Sequence, residues 1–203
     1  MDDAFKLIRQ AVDLLPEDAT AENGVTIEDV RDWIRYTEWE MALAVLIEIA
    51  DTNPAPLTFW ELLAESSRQM DLDGDRRWCE WRAWEVQHGT IRATLTLVDA
   101  DQGLRQTPFA GHGELRPLWD IGNRTADGQA DLDVALLWVE FAPTLGPGET
   151  ASVRLAPLRP ARWQHLKPGD LITMHEGRPI GGLAEVIELL PPASQLPRTA
   201  PTQ

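Results

Sequence analysis

Residues Pro168 to Leu190 read P-G-D-L-I-T-M-H-E-G-R-P-I-G-G-L-A-E-V-I-E-L-L. The pattern predicts an apolar strand, a tight turn at Glu176-Gly177-Arg178-Pro179, and a second strand re-entered through Gly181-Gly182. Glycine supplies a positive φ at such a turn and lets backbones approach closely, while Pro179 fixes φ beside it. Working back toward Gly89, the same alternating period recurs. Ile91, Ala93, Leu95 and Leu97 alternate with Arg92, Thr94 and Thr96, and Val134, Leu136 and Trp138 repeat the alternation. Val153 and Leu155 do so against Ser152 and Arg154. Loops such as Gly122 to Leu132 and Pro147-Gly148 separate these segments. Five or six short strands with polar turns and no helical period predict a small antiparallel barrel over 90–190.

Before Gly89 the period is helical. Asp2 to Leu15 carries Phe5, Leu7, Ile8, Val12 and Leu15 at near-helical spacing and stops at Pro16. Thr26-Ile27-Glu28-Asp29 has N-cap chemistry, with Val30, Trp33 and Ile34 as the apolar stripe behind it. Glu38 to Asp51 is apolar almost all round and is the expected centre of the helical half. Thr58 to Glu61 has capping-box spacing and predicts a helix to about Met70. Asp73-Gly74-Asp75 reads as a turn opening a last helix to about Gln87, which ends near Gly89. Four or five helices on short connections make an antiparallel bundle. The expected class is therefore α+β: an acidic helical domain over 1–89, a six-stranded antiparallel β-barrel over 90–190, and a proline-rich tail over 191–203 expected to be disordered.

Charge is unevenly shared. Of the net −15, residues 1–89 hold 20 Asp and Glu against 8 Lys and Arg, a balance of −12; residues 90–203 hold 13 against 10, a balance of −3. The first half is either a solvated acidic surface or one that steers a basic partner. It repels a phosphate backbone, whose binding rests on Lys and Arg. No apolar run approaches the roughly 20 residues of a membrane span. Asp2 and Asp3 after Met1 have the wrong sign for a signal peptide, and the single cysteine, Cys79, excludes an internal disulfide. These features predict a cytoplasmic protein.

Motifs for chemistry are scarce. Asp71, Asp73 and Asp75 have the spacing of the first EF-hand ligands, but Arg76 holds the glycine position and Arg82 the twelfth, which defeats calcium. His88, His112, His165 and His175 form no H-E-x-x-H pair, and Cys79 has no cysteine partner for zinc. His175 and Glu176 are neighbours on a strand and are expected to face opposite ways. No G-x-x-x-x-G-K-[ST], G-x-S-x-G or dinucleotide loop occurs. The expectation is a protein that is not an enzyme and has no cofactor or metal. Trp78, Trp81 and Trp84 stand three apart on the last helix. They serve either as core or, in part, as exposed anchors for a partner.

Two resemblances add to this reading. Gln102-Gly103-Leu104-Arg105-Gln106-Thr107-Pro108-Phe109 is similar to the E-G-G-R-H-T-P-F of the third domain of elongation factor Tu. Arg116-Pro117-Leu118-Trp119 resembles its R-P-Q-F, and Gly146-Pro147-Gly148-Glu149 its M-P-G-D. His175-Glu176-Gly177-Arg178-Pro179-Ile180-Gly181 resembles R-E-G-G-R-T-V-G with one glycine deleted. This resemblance covers Ile91 to Leu190 and implies that family's barrel, which touches the stem of aminoacyl-tRNA. Arg105, Arg116 and Arg178 are the tRNA-facing candidates it implies. Departures at Gln106 and His175, and the missing phosphate loop, remove part of that apparatus and all P-loop GTP hydrolysis. The helical half, in D-V-R-D-W-I-R-Y-T-E-W-E-M-A-L-A-V-L-I-E-I (29–49) and F-W-E-L-L-A-E-S-S-R-Q-M-D-L (59–72), resembles small immunity proteins of the Maf type. Asp71 stands where those often have glycine. That resemblance implies an immunity or antitoxin-like protein that binds a basic toxin or nuclease domain. Glu38, Glu40, Asp71, Asp73 and Asp75 are the expected contacts, with Trp78 or Trp81 as anchors. The alternative is a translation-related module that binds tRNA or a factor through the barrel arginines. Nucleic acid and membrane are not the expected partners.

Overall fold

The computed structural model describes residues 2–103 and 105–195 and divides into two compact units, Met1–Val86 and Gln87–Gln203. Among the described residues five α-helices precede eight strands. The helices are α1 (Asp2–Val12), α2 (Ile27–Arg35), α3 (Trp39–Thr52), α4 (Leu57–Gln69) and α5 (Asp73–His88). The strands are β1 (Thr90–Leu97), β2 (Phe109–Ala110), β3 (Leu118–Asp120), β4 (Asp133–Val139), β5 (Thr144–Leu145), β6 (Thr150–Pro157), β7 (Leu171–His175) and β8 (Ile180–Leu190). The α+β class with helices first and a closed six-stranded antiparallel barrel second is the one expected.

In the helical unit α3 is central because it is apolar on nearly every side. Ala42, Leu43, Leu46 and Ile49 are fully buried, and Ile8, Ile27, Val30, Phe59, Trp60 and Leu63 pack into the same core. Thr26 caps α2 as a full capping box: its hydroxyl accepts from the Asp29 amide, and the Asp29 carboxylate accepts from the Thr26 amide at 2.9 Å. Three expectations at helix ends are corrected. The first helix stops at Val12, three residues early, although Leu15 still reaches the core. The Thr58 capping box does not form; Pro56 is the N-cap of α4 and no side chain caps it, because proline's fixed φ already starts the helix. Asp73-Gly74-Asp75 is the first turn of α5 rather than a turn before it.

In the second unit the barrel order is β1-β6-β4-β3-β7-β8, with β8 pairing back onto β1. Glu176 closes the turn between β7 and β8 by donating its amide to the Pro179 carbonyl at 3.1 Å, and Gly177 sits at φ 74°. Gly182 has another role. A Cβ there would lie 3.0 Å from both Leu95 Cδ1 and the Thr96 carbonyl, so any larger residue would have to push these β1 atoms back by a few tenths of an ångström for β8 to close against β1. Alternation places Ile91, Ala93, Leu95, Leu137, Val153, Leu155, Ile172 and Val186 inside, around Trp119 and Trp163. β2 and β5 form a separate two-stranded pair, too short for sequence period to reveal. Ala193–Gln195 make a 3-10 turn within the stretch expected to be disordered; residues 196–203 of that stretch lie outside the described residues.

Candidate functional site

In the helical unit two helix ends converge. α2 closes with the Glu38 amide donating to the Trp33 carbonyl at 2.9 Å and the Thr37 amide to Ile34 at 3.2 Å. α4 closes the same way, Leu72 donating to Ser67 at 2.9 Å and Asp71 to Arg68 at 3.4 Å. Both are Schellman turns, which place one residue in the left-handed region and normally use glycine there. Here the residues are Thr37, at φ 63°, and Asp71, at φ 58°. A β-branched residue in that region is strained.

Thr37 and Asp71 line one cavity of ≈ 530 Å³ with Phe5, Glu38, Trp39, Glu40, Gln69 and Met70. Its apolar wall is a stack: the Phe5 and Trp39 rings lie 4.2 Å apart and nearly parallel, and the Arg9 guanidinium sits 4.9 Å from the Trp39 ring centre. Its polar wall is three carboxylates, Glu38, Glu40 and Asp71. None of the three is ion-paired or hydrogen-bonded by its side chain among the described residues. The carbonyl ends of α2 and α4 add partial negative charge. The amino end of α3 opposes this, but Glu38 and Glu40 flank it with full charges. Burial pushes the Asp75 carboxyl above its ordinary range, and the charge of Glu40 adds to the push. The cleft is electronegative, half apolar and open to a cation carried on an organic stem.

The structure separates the expected partner-binding residues. Glu38, Glu40 and Asp71 share the cleft, and Asp75 lies within electrostatic reach of Glu40. Asp73 does not join them; it pairs with Arg76 at 3.2 Å on α5. Trp81 is only 8% exposed, and its indole donates to Glu85 Oε1 at 2.6 Å, which corrects its reading as an exposed anchor. Trp78 is half-buried beside Arg82, whose guanidinium lies 5.4 Å from its ring centre. Thr37, Phe5 and Met70 were not legible as site residues. A glycine at position 37 or 71 would have marked the helix ends; a threonine and an aspartate do not.

In the second unit, Arg105 is partly exposed and makes contacts within the barrel. Its Nε donates to Glu176 Oε1 at 2.6 Å, and its guanidinium lies over the Phe109 ring at 4.9 Å. Arg116 and Arg178 are exposed. His175 and Glu176 do not work together: Glu176 is engaged with Arg105, while His175 Nε2 is 3.0 Å from Thr173 Oγ1 and Nδ1 is 3.1 Å from the Arg178 carbonyl. A cavity of ≈ 370 Å³ at the start of β1 is lined by Ile91, Pro157, Trp163 and Leu189, with His88 its single ionisable side chain. Among the described residues no three His, Cys, Asp or Glu side chains are grouped to hold a metal ion, and no helix is long and apolar enough to cross a membrane. No protein-family model and no curated protein matches the chain.

Proposed function

We propose that the chain is a non-catalytic binding protein of the immunity or antitoxin type, whose acidic cleft takes basic side chains of a toxin or nuclease partner. The observation that carries this reading is the gathering of Glu38, Glu40 and Asp71, none of them ion-paired among the described residues, against the Phe5–Trp39 stack. An arginine or lysine fits such a cleft through charge at its tip and apolar contact along its stem. Backbone strain held at Thr37 and Asp71 fits a site whose shape is kept for binding. The excess of acid over the first 89 residues supplies long-range attraction toward a basic surface.

The test is co-expression with the product of the adjacent gene. Rescue of growth by the parent chain, and its loss in Glu38→Lys, Glu40→Lys, Asp71→Lys together, is the expected result. Folding of the triple variant is checked by circular dichroism. Failure of the parent chain to bind or protect overturns the reading. A gel shift with tRNA at moderate salt separates the alternative: tight binding that Arg116→Ala and Arg178→Ala abolish assigns the chain to translation instead.

A further inference from the structure

The outer face of the barrel carries a group of exposed apolar side chains on β7 and β8. On β8 the outward residues Leu183 and Ile187 are 44% and 51% exposed, and on β7 Leu171 is 64% exposed. Large apolar side chains at that exposure are ordinary singly, but gathered together they mark an interaction surface. The strand register gathers them. Glu185 stands directly opposite Leu171 on β7 and opposite Thr94 on β1, while Leu183 stands opposite Thr173 and Thr96. Along its own strand Glu185 lies between Leu183 and Ile187. One exposed carboxylate is thus ringed by leucine, isoleucine and threonine side chains.

Glu185 has no basic partner among the described residues. The next acid on the strand, Glu188, is paired with Arg92 at 3.4 Å, so β8 has a settled charge and an unsettled one three residues apart. A charged group inside an apolar ring is the arrangement in which a docking partner's opposite charge is sheltered from water by the surrounding contacts. We infer that the β1–β8–β7 face docks a protein surface of complementary design: apolar side chains surrounding one lysine or arginine that meets Glu185. This contact is separate from the acidic cleft of the helical unit and does not depend on it.

The test uses two disulfide-cyclised β-hairpin peptides, each displaying leucine and valine on one face around a central lysine or, in the control, a central glutamate. Each is titrated into the isotopically labelled full chain at about 0.15 M salt, where long-range attraction to the acidic chain is screened. The expected result is movement of the amide signals of β1, β7 and β8 by the lysine hairpin. Its affinity is expected to drop about fivefold for Glu185→Gln, the scale of an exposed ion pair. Glu185→Lys is expected to reverse the preference toward the glutamate hairpin. Leu171→Thr serves as a second variant that removes apolar contact, and so weakens both hairpins, without changing the charge beside Glu185. Equal binding of the two hairpins to the parent chain, or signal movement confined to other elements, overturns the inference. So does sedimentation showing that the free chain already pairs with a second copy through this face.

Discussion

Thr37 keeps a backbone angle at which its own branched Cβ is crowded, and Asp71 does the same with a smaller penalty because its short polar side chain tolerates the left-handed region. Replacing Thr37 with glycine removes the crowding at the cost of added freedom in the unfolded chain. The balance favours the variant by about 1 kcal/mol, read as a rise in the midpoint of chemical denaturation. The same variant is expected to bind the partner less well if the strained turn holds Glu38 and Trp39 in place. Asp75 makes a prediction of the opposite kind. Its folded pKa is raised above the ordinary 3.8 by burial and then by Glu40, so the folded state holds its proton more tightly than the unfolded state. Stability therefore rises as pH falls from neutral through the raised value. Asp75→Asn removes the penalty: the variant is more stable than the parent at pH 7. That advantage disappears below 3.8, where both states of the parent are protonated. Denaturation midpoints across pH 3–8, a range chosen to span about the carboxylate pKa region, read the effect directly.

At the level of single elements, helix starts separate what was legible from what was not. Thr26 and Thr58 both have an acid three residues on, and the spacing alone treats them alike. Only Thr26 caps; the chain before α4 contains Pro56, which begins that helix two residues ahead of Thr58. Thr26→Ala is expected to lose about 1 kcal/mol, whereas Thr58→Ala loses none of that capping energy. Calorimetry of the two variants tells them apart. The barrel strands were legible because half-buried strands print a period of two, and the β7–β8 turn because Gly177 and Pro179 have narrow conformational uses. β2 and β3, two and three residues long, carry no period at all. The cleft was half legible. Its carboxylates stood out as an acidic excess, but the selection among them depended on which had found an arginine. Asp73 with Arg76, and Glu65 with Arg68, are neighbours on one helix turn, a pairing shared by many exposed acids. The freedom of Glu38, Glu40 and Asp71 arises from helix ends brought together by packing, which no local spacing encodes.

Taken whole, the chain has two separate cores. The first is built from residues of α1 to α5, among them Ile8, Leu46, Trp60 and Cys79; the second runs from Ile91 to Val186. Each unit encloses its own apolar side chains, as an independently folding domain does. A fragment spanning 90–195 is therefore expected to fold alone, with a cooperative unfolding transition and a β-type circular dichroism spectrum. A fragment that stays unfolded would mean that the barrel needs the helices to complete it. Charge follows the same division, since the acidic excess lies almost wholly in the first 89 residues.

The meeting of β8 with β1 has a consequence for how this chain chooses company. Because every strand of the six-stranded cylinder already has a neighbour on both sides, no strand offers a whole open edge. A visitor has no full-length strand of the cylinder to lie alongside. Recognition there is written chiefly in side chains, and a handful of substitutions on the outer surface can change the guest while leaving the wall intact.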